Sequence, residues 1–168
     1  TLTTNAEHRT KNNNSTMSAY YDLKFGKRDN KLSITGNYFS NVPESNIDFI
    51  TRDNSGSSDI VKTPSELKYK IYSGQADFTL PFEFAKTEVG VKFTNFDNNS
   101  DIKYQNLVGG TYITDPQRSN LFNYNEKNYA TYMGLERELA EKWTLKAGLR
   151  YEYSTVNGTS ASTGQGTE

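Results

Sequence analysis

Apolar and polar residues alternate along several stretches of the chain. In the clearest stretch, from Trp143 to Ser154, alternate positions form two sets of opposite character. The apolar set is Trp143, Leu145, Ala147, Leu149, Tyr151 and Tyr153, and the polar set is Thr144, Lys146, Gly148, Arg150, Glu152 and Ser154. A strand places two such sets on opposite faces, whereas a helix scatters both around its circumference. The pattern therefore predicts a β-strand with one apolar and one polar face.

Further stretches show the same period of two, at about residues 17–25, 31–38, 66–80, 88–94 and 129–139. Alternation over such lengths is typical of strands that have one apolar side. We therefore predict an all-β fold, an antiparallel meander of about six long strands. The predicted hairpins, within a single unit over residues 1–168, cover about 17–40, 66–97 and 122–156.

The connections between these strands alternate in length. The short ones are residues 26–30, 81–86 and 140–142. The long, polar ones are residues 41–65, 97–120 and 157 onward, with residues 1–16 as the tail of another. Outer-membrane barrels combine tight turns at one end with long external loops at the other, and about ten residues let a tilted strand cross the bilayer. Since about six strands are too few to close such a barrel, we predict an internal segment of a larger transmembrane β-barrel.

One predicted strand changes phase in its middle. Its apolar set includes Tyr69 and Ile71 at first, and Ala76 and Phe78 afterwards. One extra residue would produce this change, which predicts a β-bulge near Ser73–Gly74. The alternative is that the strand leaves the membrane at this point and its outer face becomes polar.

In a membrane barrel the apolar strand faces contact lipid and the polar faces line the lumen. The residues predicted to face lipid are Val89, Val91, Phe93, Leu145, Ala147, Leu149 and Tyr151. The residues predicted to face the lumen are Glu88, Lys92, Lys146, Arg150 and Glu152. We expect these lumen charges to form cross-strand ion pairs, each worth roughly 0.2–1 kcal/mol, rather than to contact a plug or a substrate. Trp143 and the tyrosines near strand ends are expected to form an aromatic girdle at the lipid headgroups.

Composition excludes several other classes of protein. No stretch approaches the about 18 apolar residues of a membrane-spanning helix, and 33% of the residues are apolar. The chain contains 12 tyrosines and 9 phenylalanines, and disordered chains are poor in aromatic residues. A net charge of -1 gives no electrostatic reason to expect nucleic acid as a partner. Because there is no cysteine, neither disulfides nor thiolate chemistry are expected.

No residue pattern indicates catalysis or a bound cofactor. Asp97, Asn99 and Asp101 alternate as calcium ligands can, but Ile102 stands where an EF-hand loop needs glycine, so a turn between strands is expected. His8 is the only histidine and is expected to be a solvated loop residue, because a metal site needs several ligands. Phosphate-binding, nucleophile-elbow and paired-cysteine motifs do not occur in the sequence. We therefore predict no enzyme, no metal site and no cofactor.

Two segments resemble a known family. Residues 75–104, QADFTLPFEFAKTEVGVKFTNFDNNSDIKY, look like a strand–turn–strand unit of the outer-membrane β-barrel family found in TonB-dependent receptors of Bacteroidetes type. The residues that fit are Asp77, Phe78, Leu80, Pro81, Glu88, Gly90 and Lys92. Residues 122–159 are more specific, since they are similar to the family's Phe-x-Tyr-x-Glu, alanine–tyrosine strand, short turn and Gly-Leu-Arg-x-Glu. The matching residues are Phe122, Tyr124, Glu126, Tyr132, Gly148, Leu149, Arg150 and Glu152.

The resemblance implies part of the barrel of a receptor in the bacterial outer membrane that imports a large nutrient or a chelate. Such receptors hold a plug domain in the barrel and receive energy from the TonB complex. The sequence shows neither a plug domain nor a TonB box. The implied partners are therefore outer-membrane lipid, the rest of the parent barrel with its plug, and TonB through the parent protein. The ligand is not identified by the resemblance.

The alternative is a soluble β-sandwich or small barrel that binds a glycan or another ligand through long loops. Such a fold would bury Val89, Val91, Leu145 and Leu149 against a second sheet, whereas a membrane barrel exposes them to lipid.

Overall fold

The computed structural model describes residues 2–26, 28–161 and 166–167, the last two by their backbone only. The strands in chain order are β1 (Thr3–Phe25), β2 (Asn30–Arg52), β3 (Ser58–Pro81), β4 (Lys86–Ile102), β5 (Gln105–Val108), β6 (Thr111–Thr114), β7 (Asn120–Ala140), β8 (Trp143–Ser160) and β9 (Gly166–Thr167). The described residues contain no helix with the length and apolar character needed to cross a bilayer. The predicted all-β class and the antiparallel arrangement are confirmed.

All strands belong to one antiparallel sheet. The main path runs β1-β2-β3-β4-β7-β8-β9, so each long strand pairs with the next long strand along the chain. The β5–β6 hairpin lies beside this path and pairs with β3 at Val61 and Lys62. In the part that the structure describes, β1 has a partner on one side only, and the sheet is therefore open rather than closed into a barrel.

The long strands extend well beyond the predicted hairpins. β1 and β2 pair without interruption from Phe25 and Asn30 to Thr3 and Arg52. At about 3.3 Å per residue, the 23 residues of β1 measure about 75 Å. Residues 1–16 and 41–65, predicted as loops, are mainly strand where described, because the backbone pairing of β1, β2 and β3 continues through them. Lys27 in the first short turn, and residues 162–165 and 168 in the last predicted loop, lie outside the described residues.

The turn between β2 and β3, residues 53–57, closes the ladder that these two strands form. Asp53 Oδ1 accepts hydrogen bonds from the backbone N–H groups of Ser55 at 2.9 Å and Ser57 at 3.0 Å. Gly56 adopts a left-handed φ of 85°, which costs a glycine little. A hydrogen bond from the Ser55 hydroxyl, joined by those backbone bonds, holds the pKa of the Asp53 carboxyl below its usual range.

The predicted bulge near Ser73–Gly74 is wrong. Ser73 pairs with Asn37 on one side and Thr94 on the other, and the register continues unchanged to Gly74 on both sides. The register shift recorded among the described strands lies at Glu138–Ala140, beside a short turn. The phase change in β3 therefore has a cause other than a bulge.

The sheet is a single layer and has no core of its own. The accessible surface is 12081 Å² for a chain of 19.0 kDa, whereas a compact monomer of this mass exposes about 8,400 Å². Among the described residues only Val61, Ala85 and Ala130 are buried apolar residues. A second sheet, which the soluble alternative requires, is not found in residues 2–26 and 28–161. The apolar side chains therefore have to be covered by something other than this sheet.

Candidate functional site

One face of the sheet carries a continuous band of apolar side chains, which we call the apolar band. Paired residues on antiparallel strands point to the same side, so the register aligns the apolar sets of all long strands. The band consists of alternate residues in 17–25 of β1, 32–38 of β2, 72–80 of β3, 87–93 of β4, 129–135 of β7 and 143–153 of β8. We call this side of the sheet the band face and the other side the opposite face.

The side chains of the apolar band are exposed. Leu149 is 77% exposed, Tyr151 67% and Val91 54%. Soluble monomers rarely expose an apolar area of this extent, and a large one marks a protein or membrane interface. The band begins at the short turns and spans about nine residues of β1, which is about the number that a tilted strand needs to cross the bilayer.

Aromatic rings lie at both margins of the band. At the margin far from the short turns, Tyr38 contacts Tyr72 with ring centroids 5.0 Å apart, and Phe93 contacts Tyr129 at the same distance. Tyr153 continues this row at 6.4 Å from Tyr129. At the other margin, exposed rings stand at or beside the short turns; they are Phe25, Phe82, Phe84 and Trp143. Two aromatic rows around an apolar zone are typical of barrel strands that cross a bilayer.

The structure places each predicted residue on a definite face. The seven residues predicted to face lipid all lie on the band face, where Val89 pairs through Met133 to Leu149. The five residues predicted to face the lumen all lie on the opposite face. Their assignment to lipid or to lumen stays a prediction.

The predicted ion pairs between the charges of β4 and those of β8 do not form. β7 lies between these two strands, and no ion pair joins Glu88 or Lys92 to β8 among the described residues, although the charge of Lys92 acts on Glu152 across Ala130. Arg150 instead pairs with Glu152 on its own strand. Lys146 reaches Glu136 on β7, with 3.2 Å between Nζ and Oε2. The prediction failed because the sequence alone did not show which strands are adjacent.

The opposite face contains a polar network centred on Tyr132. Its hydroxyl donates a hydrogen bond to Asp77 Oδ1 two strands away, and Gln75 Nε2 donates to Asp77 Oδ2 at 2.8 Å. The ring lies directly over Gly90, where a Cβ atom would overlap it. The guanidinium of Arg150 stands 5.4 Å from the ring centroid. The network ties β3, β4, β7 and β8 together across the opposite face.

Beyond the apolar band, apolar side chains move from the band face to the opposite face. Phe39, Ile71 and Phe96 occupy one row there, and Tyr69 and Tyr124 lie in the next. The centroids of Tyr69 and Phe96 are 6.3 Å apart, and those of Phe96 and Tyr124 are 5.9 Å apart. The phase change in β3 is thus one part of a switch that all its neighbours share at the same level. This outcome matches the alternative interpretation, in which the band face becomes polar.

On the band face, the positions just beyond the apolar band carry amide and charged side chains. Asn95 Nδ2 donates to Asp97 Oδ2 at 2.7 Å, and Asn125 donates to Asp97 and, at 3.0 Å, to Asn95. The expected turn at Asp97–Asp101 is therefore wrong, because these residues lie within β4. His8 lies in strand β1 rather than in a loop, and its Nε2 is 2.8 Å from Ser45 Oγ. Among the described residues, no group of three acidic or histidine side chains could hold a metal ion.

Sequence analysis missed the Tyr132 network and the aromatic rows beyond the band. The network joins residues up to 55 positions apart, which no local pattern reveals. The aromatic rows did leave a signal, because the phase change in β3 recurs in β2 between Tyr38 and Phe39 and in β4 between Phe93 and Phe96. Alignment of the strands by their turns would have shown that these changes occur at one level.

Comparison with known proteins gives a family match over most of the chain. Residues 23–168 match the outer membrane protein beta-barrel family. A search of curated proteins found no match to the chain.

Two solved structures are similar to the chain at low identity. One is the unliganded ferric citrate transporter FecA, with 15% identity and a TM-score of 0.43 over 82% of this chain. The other is the alcaligin outer membrane receptor FauA from Bordetella pertussis, with 14% identity and a TM-score of 0.37 over 89% of this chain. The chain spans only 22% and 29% of the lengths of these two proteins.

Proposed function

The chain belongs to the outer membrane protein beta-barrel family, and from this premise we propose that it forms part of the barrel wall of a TonB-dependent receptor that imports a nutrient or a chelate. Membership in this family confirms the family that the sequence predicted. It also confirms the predicted location in the bacterial outer membrane. In this proposal the chain's role is structural rather than enzymatic. The rest of the parent barrel pairs with its open edges, and a plug domain and TonB act through the parent protein.

The observation that carries the proposal is the apolar band with its two aromatic margins. A single sheet that exposes this much apolar surface needs a cover, and hydrocarbon supplies one without a second protein layer. The predicted lipid-facing residues then contact acyl chains; they are Val89, Val91, Phe93, Leu145, Ala147, Leu149 and Tyr151. The predicted lumen-facing residues, such as Glu88 and Arg150, then line a polar interior, as barrel strands require.

Beyond the band, the long ladders extend outside the membrane and form the ligand-capturing part of the receptor. The aromatic rows of Tyr69, Phe96 and Tyr124 lie there on the lumen side. Half-buried rings beside polar groups are common in ligand sites, because the rings supply contact area and the polar groups orient the ligand. The hydrogen bond from Tyr124 to Glu126 raises the pKa of the Tyr124 hydroxyl, which keeps it a neutral donor.

Cysteine labelling of the complete gene product in outer membranes tests the orientation of the two faces. The chain has no cysteine, so a single substitution gives one labelling site. We expect a membrane-impermeant thiol reagent to label Ser154→Cys on the opposite face, and to label Leu149→Cys only after the protein is unfolded. Ready labelling of Leu149→Cys in intact membranes, or recovery of the protein in the soluble periplasm, would contradict the proposal.

TonB dependence is tested separately by binding and uptake. The probe is ferric citrate, the substrate named for one similar transporter, followed by a panel of other iron chelates and oligosaccharides. We expect cells to accumulate one of these compounds only when both this protein and TonB are present. Accumulation that persists without TonB would rule out the TonB-dependent mechanism and leave the barrel assignment intact.

A further inference from the structure

Carboxamide and phenol side chains alternate across the opposite face, just beyond the level of the apolar band. Asn41, Tyr69, Asn98 and Tyr124 occupy one row on β2, β3, β4 and β7, because the register pairs each residue with the next. Adjacent strands lie about 4.8 Å apart, so the row extends about 14 Å across the sheet. Each of the two tyrosine rings therefore stands beside at least one amide group.

The two amides of this row have no hydrogen-bond partner. The Oδ1 atoms of Asn41 and Asn98 are buried, and neither accepts a hydrogen bond in the described part of the chain. Buried polar groups nearly always have a partner, because an unpaired one loses its hydration without compensation. Two orphaned acceptors in one row therefore indicate that another molecule supplies the donors.

A ligand can reach these acceptors after small side-chain movements. Asn41, Tyr69, Asn98 and Tyr124 are all half-buried, and they belong to a sheet that has no second layer over this face. Changes of side-chain rotamer are common when a binding surface is occupied. The amide oxygens are covered only by the sheet's own groups, so a turn of the side chains beside them is enough to open them.

Four aromatic rings form a platform around the amides. The ring centroids of Tyr69 and Phe96 are 6.3 Å apart, those of Phe96 and Tyr124 are 5.9 Å apart, and those of Tyr124 and Phe122 are 6.5 Å apart. Flat rings supply apolar contact area, and amides beside them supply directed hydrogen bonds. This combination suits a ligand that has apolar C–H faces and polar edges, as sugar rings do.

Charge separates the candidate ligands. The row of Asn41 and the rows on either side of it contain, on the opposite face of the described strands, no lysine or arginine and one carboxylate, that of Glu126. Glu126 already accepts a hydrogen bond from the Tyr124 hydroxyl at 2.7 Å. An anionic ferric chelate would therefore meet no cation here, whereas neutral hydroxyl groups would meet amides that both donate and accept.

We propose that this surface, which we call the amide–ring patch, binds a neutral oligosaccharide. The sugar rings lie on the aromatic platform, and sugar hydroxyls donate to the amide oxygens. The inference rests on the proposed function, since it requires the opposite face to line the lumen, and it deepens that function by naming the class of substrate. The patch consists of Asn41, Tyr69, Phe96, Asn98, Phe122 and Tyr124.

An oligosaccharide array probed with the complete gene product in detergent tests the proposal. The array carries neutral oligosaccharides together with sulfated and uronic-acid counterparts, and ferric citrate is titrated separately as an anionic chelate. We expect at least one neutral oligosaccharide to bind, and to bind more tightly than its anionic counterparts and than ferric citrate. Calorimetric titration of that oligosaccharide then gives the affinity of each variant.

Asn41→Leu/Asn98→Leu removes both amides and should weaken binding by about tenfold for each hydrogen bond lost. Its unfolding midpoint in urea should stay the same or rise, because leucine replaces a buried polar group that has no partner in the sheet. A purely structural role for the amides would lower the midpoint instead. Tyr69→Leu, which removes one ring and leaves both amides in place, should also weaken binding.

Asn99→Leu/Asn123→Leu is the matched control, because it makes the same change on the band face, beside Asn98 and Tyr124 in the sequence. This variant is expected to bind the oligosaccharide as wild type does. Binding of no neutral oligosaccharide, tighter binding of ferric citrate, or wild-type affinity in Asn41→Leu/Asn98→Leu would overturn the inference and leave the barrel assignment intact. Absence of the protein from the outer membrane would instead overturn the proposed function.

Discussion

Gly90 shows how one residue position can hold several strands in place. The ring of Tyr132 covers it, and the hydroxyl of that ring reaches Asp77 beyond it. A side chain at position 90 would displace the ring and break the hydrogen bond to Asp77. Glycine is therefore required here by space and not by backbone conformation.

We predict that Gly90→Ala destabilises the folded protein by about 1–3 kcal/mol, as overpacking at a close contact does. Gly36→Ala is the matched control, because open space surrounds that position. Urea titration of the complete protein in detergent micelles, followed by tryptophan fluorescence, measures the difference. Equal midpoints for the two variants would show that Tyr132 moves aside without cost.

Leu149 tests the band face itself. It lies in mid-strand, where an arginine facing hydrocarbon costs about 2–4 kcal/mol in a membrane barrel. We predict this loss for Leu149→Arg and a much smaller one for Ser154→Arg on the opposite face. Unfolding from lipid vesicles gives both values. A neutral Leu149→Arg would mean that this side chain does not contact lipid.

At the residue level, the sequence predicted which side chains share a face but not what they touch. The alternation of Leu145, Leu149 and their neighbours was enough to predict the shared face, since period two is a local property of a strand. Contacts such as Tyr132 with Asp77 depend on the order and register of four strands. Those are set by the whole meander, and no single strand contains that information.

Among the elements, the paired strand segments beyond the apolar band were the hardest to predict from the sequence. Residues 41–52 and 58–65 look like loops because they are polar and contain prolines. Yet Ile47, Phe49 and Val61 fall on the opposite face, so these segments also alternate, with the apolar side reversed. Along one strand, a reversal of the apolar face has the same pattern as a bulge or a polar loop, and the sequence therefore predicted a bulge in one place and loops in others.

The Asp53 turn allows a pH prediction for one such ladder. The pKa of Asp53 is lowered in the folded state, so its contribution to the turn is present above the usual value of 3.8 and is lost as the pH falls through the folded pKa. We predict that the amides of residues 53–57 exchange faster, relative to their intrinsic rates, as the pH falls below 3.8. Hydrogen exchange read by mass spectrometry measures this.

Asp53→Ala should produce the same fast exchange, relative to the intrinsic rate, at neutral pH. It should also abolish the change in protection of residues 53–57 between neutral and acidic pH. Asp59→Ala, a neighbouring acidic residue for which no such turn contacts occur, is the control. If Asp53→Ala leaves exchange at Ser55–Ser57 unchanged, the side chain does not stabilise the turn.

At the level of the whole molecule, the open sheet exposes the backbone groups of its edges. β1 is 23 residues long and pairs on one side only in the described part of the chain. Such an edge pairs readily with any other strand, and natural proteins cover or close it. In the proposed parent barrel, neighbouring strands of the same protein provide that cover.

We predict that the 168-residue chain on its own self-associates in detergent instead of forming a monomeric barrel. Multi-angle light scattering measures its mass. Proline substitutions at Tyr21 and Ala19 in the edge strand should reduce association, because proline removes a backbone donor. In the full barrel, where β1 pairs on both sides, the same substitutions should instead destabilise the sheet, because each removes a ladder hydrogen bond. A stable, closed monomer of the chain alone would contradict the prediction.

In the proposed barrel, the exchange of apolar side chains between the two faces also determines how deep the sheet lies in the membrane. If the sheet moved inward by a few ångströms, Lys70, Asp97 and Lys127 would enter hydrocarbon, and charged groups are expensive there. If it moved outward, Phe93 and Tyr129 would lose their place at the interface and the leucines below them would meet water. Vertical displacement is thus opposed in both directions, and the sheet needs no separate anchor to keep its height.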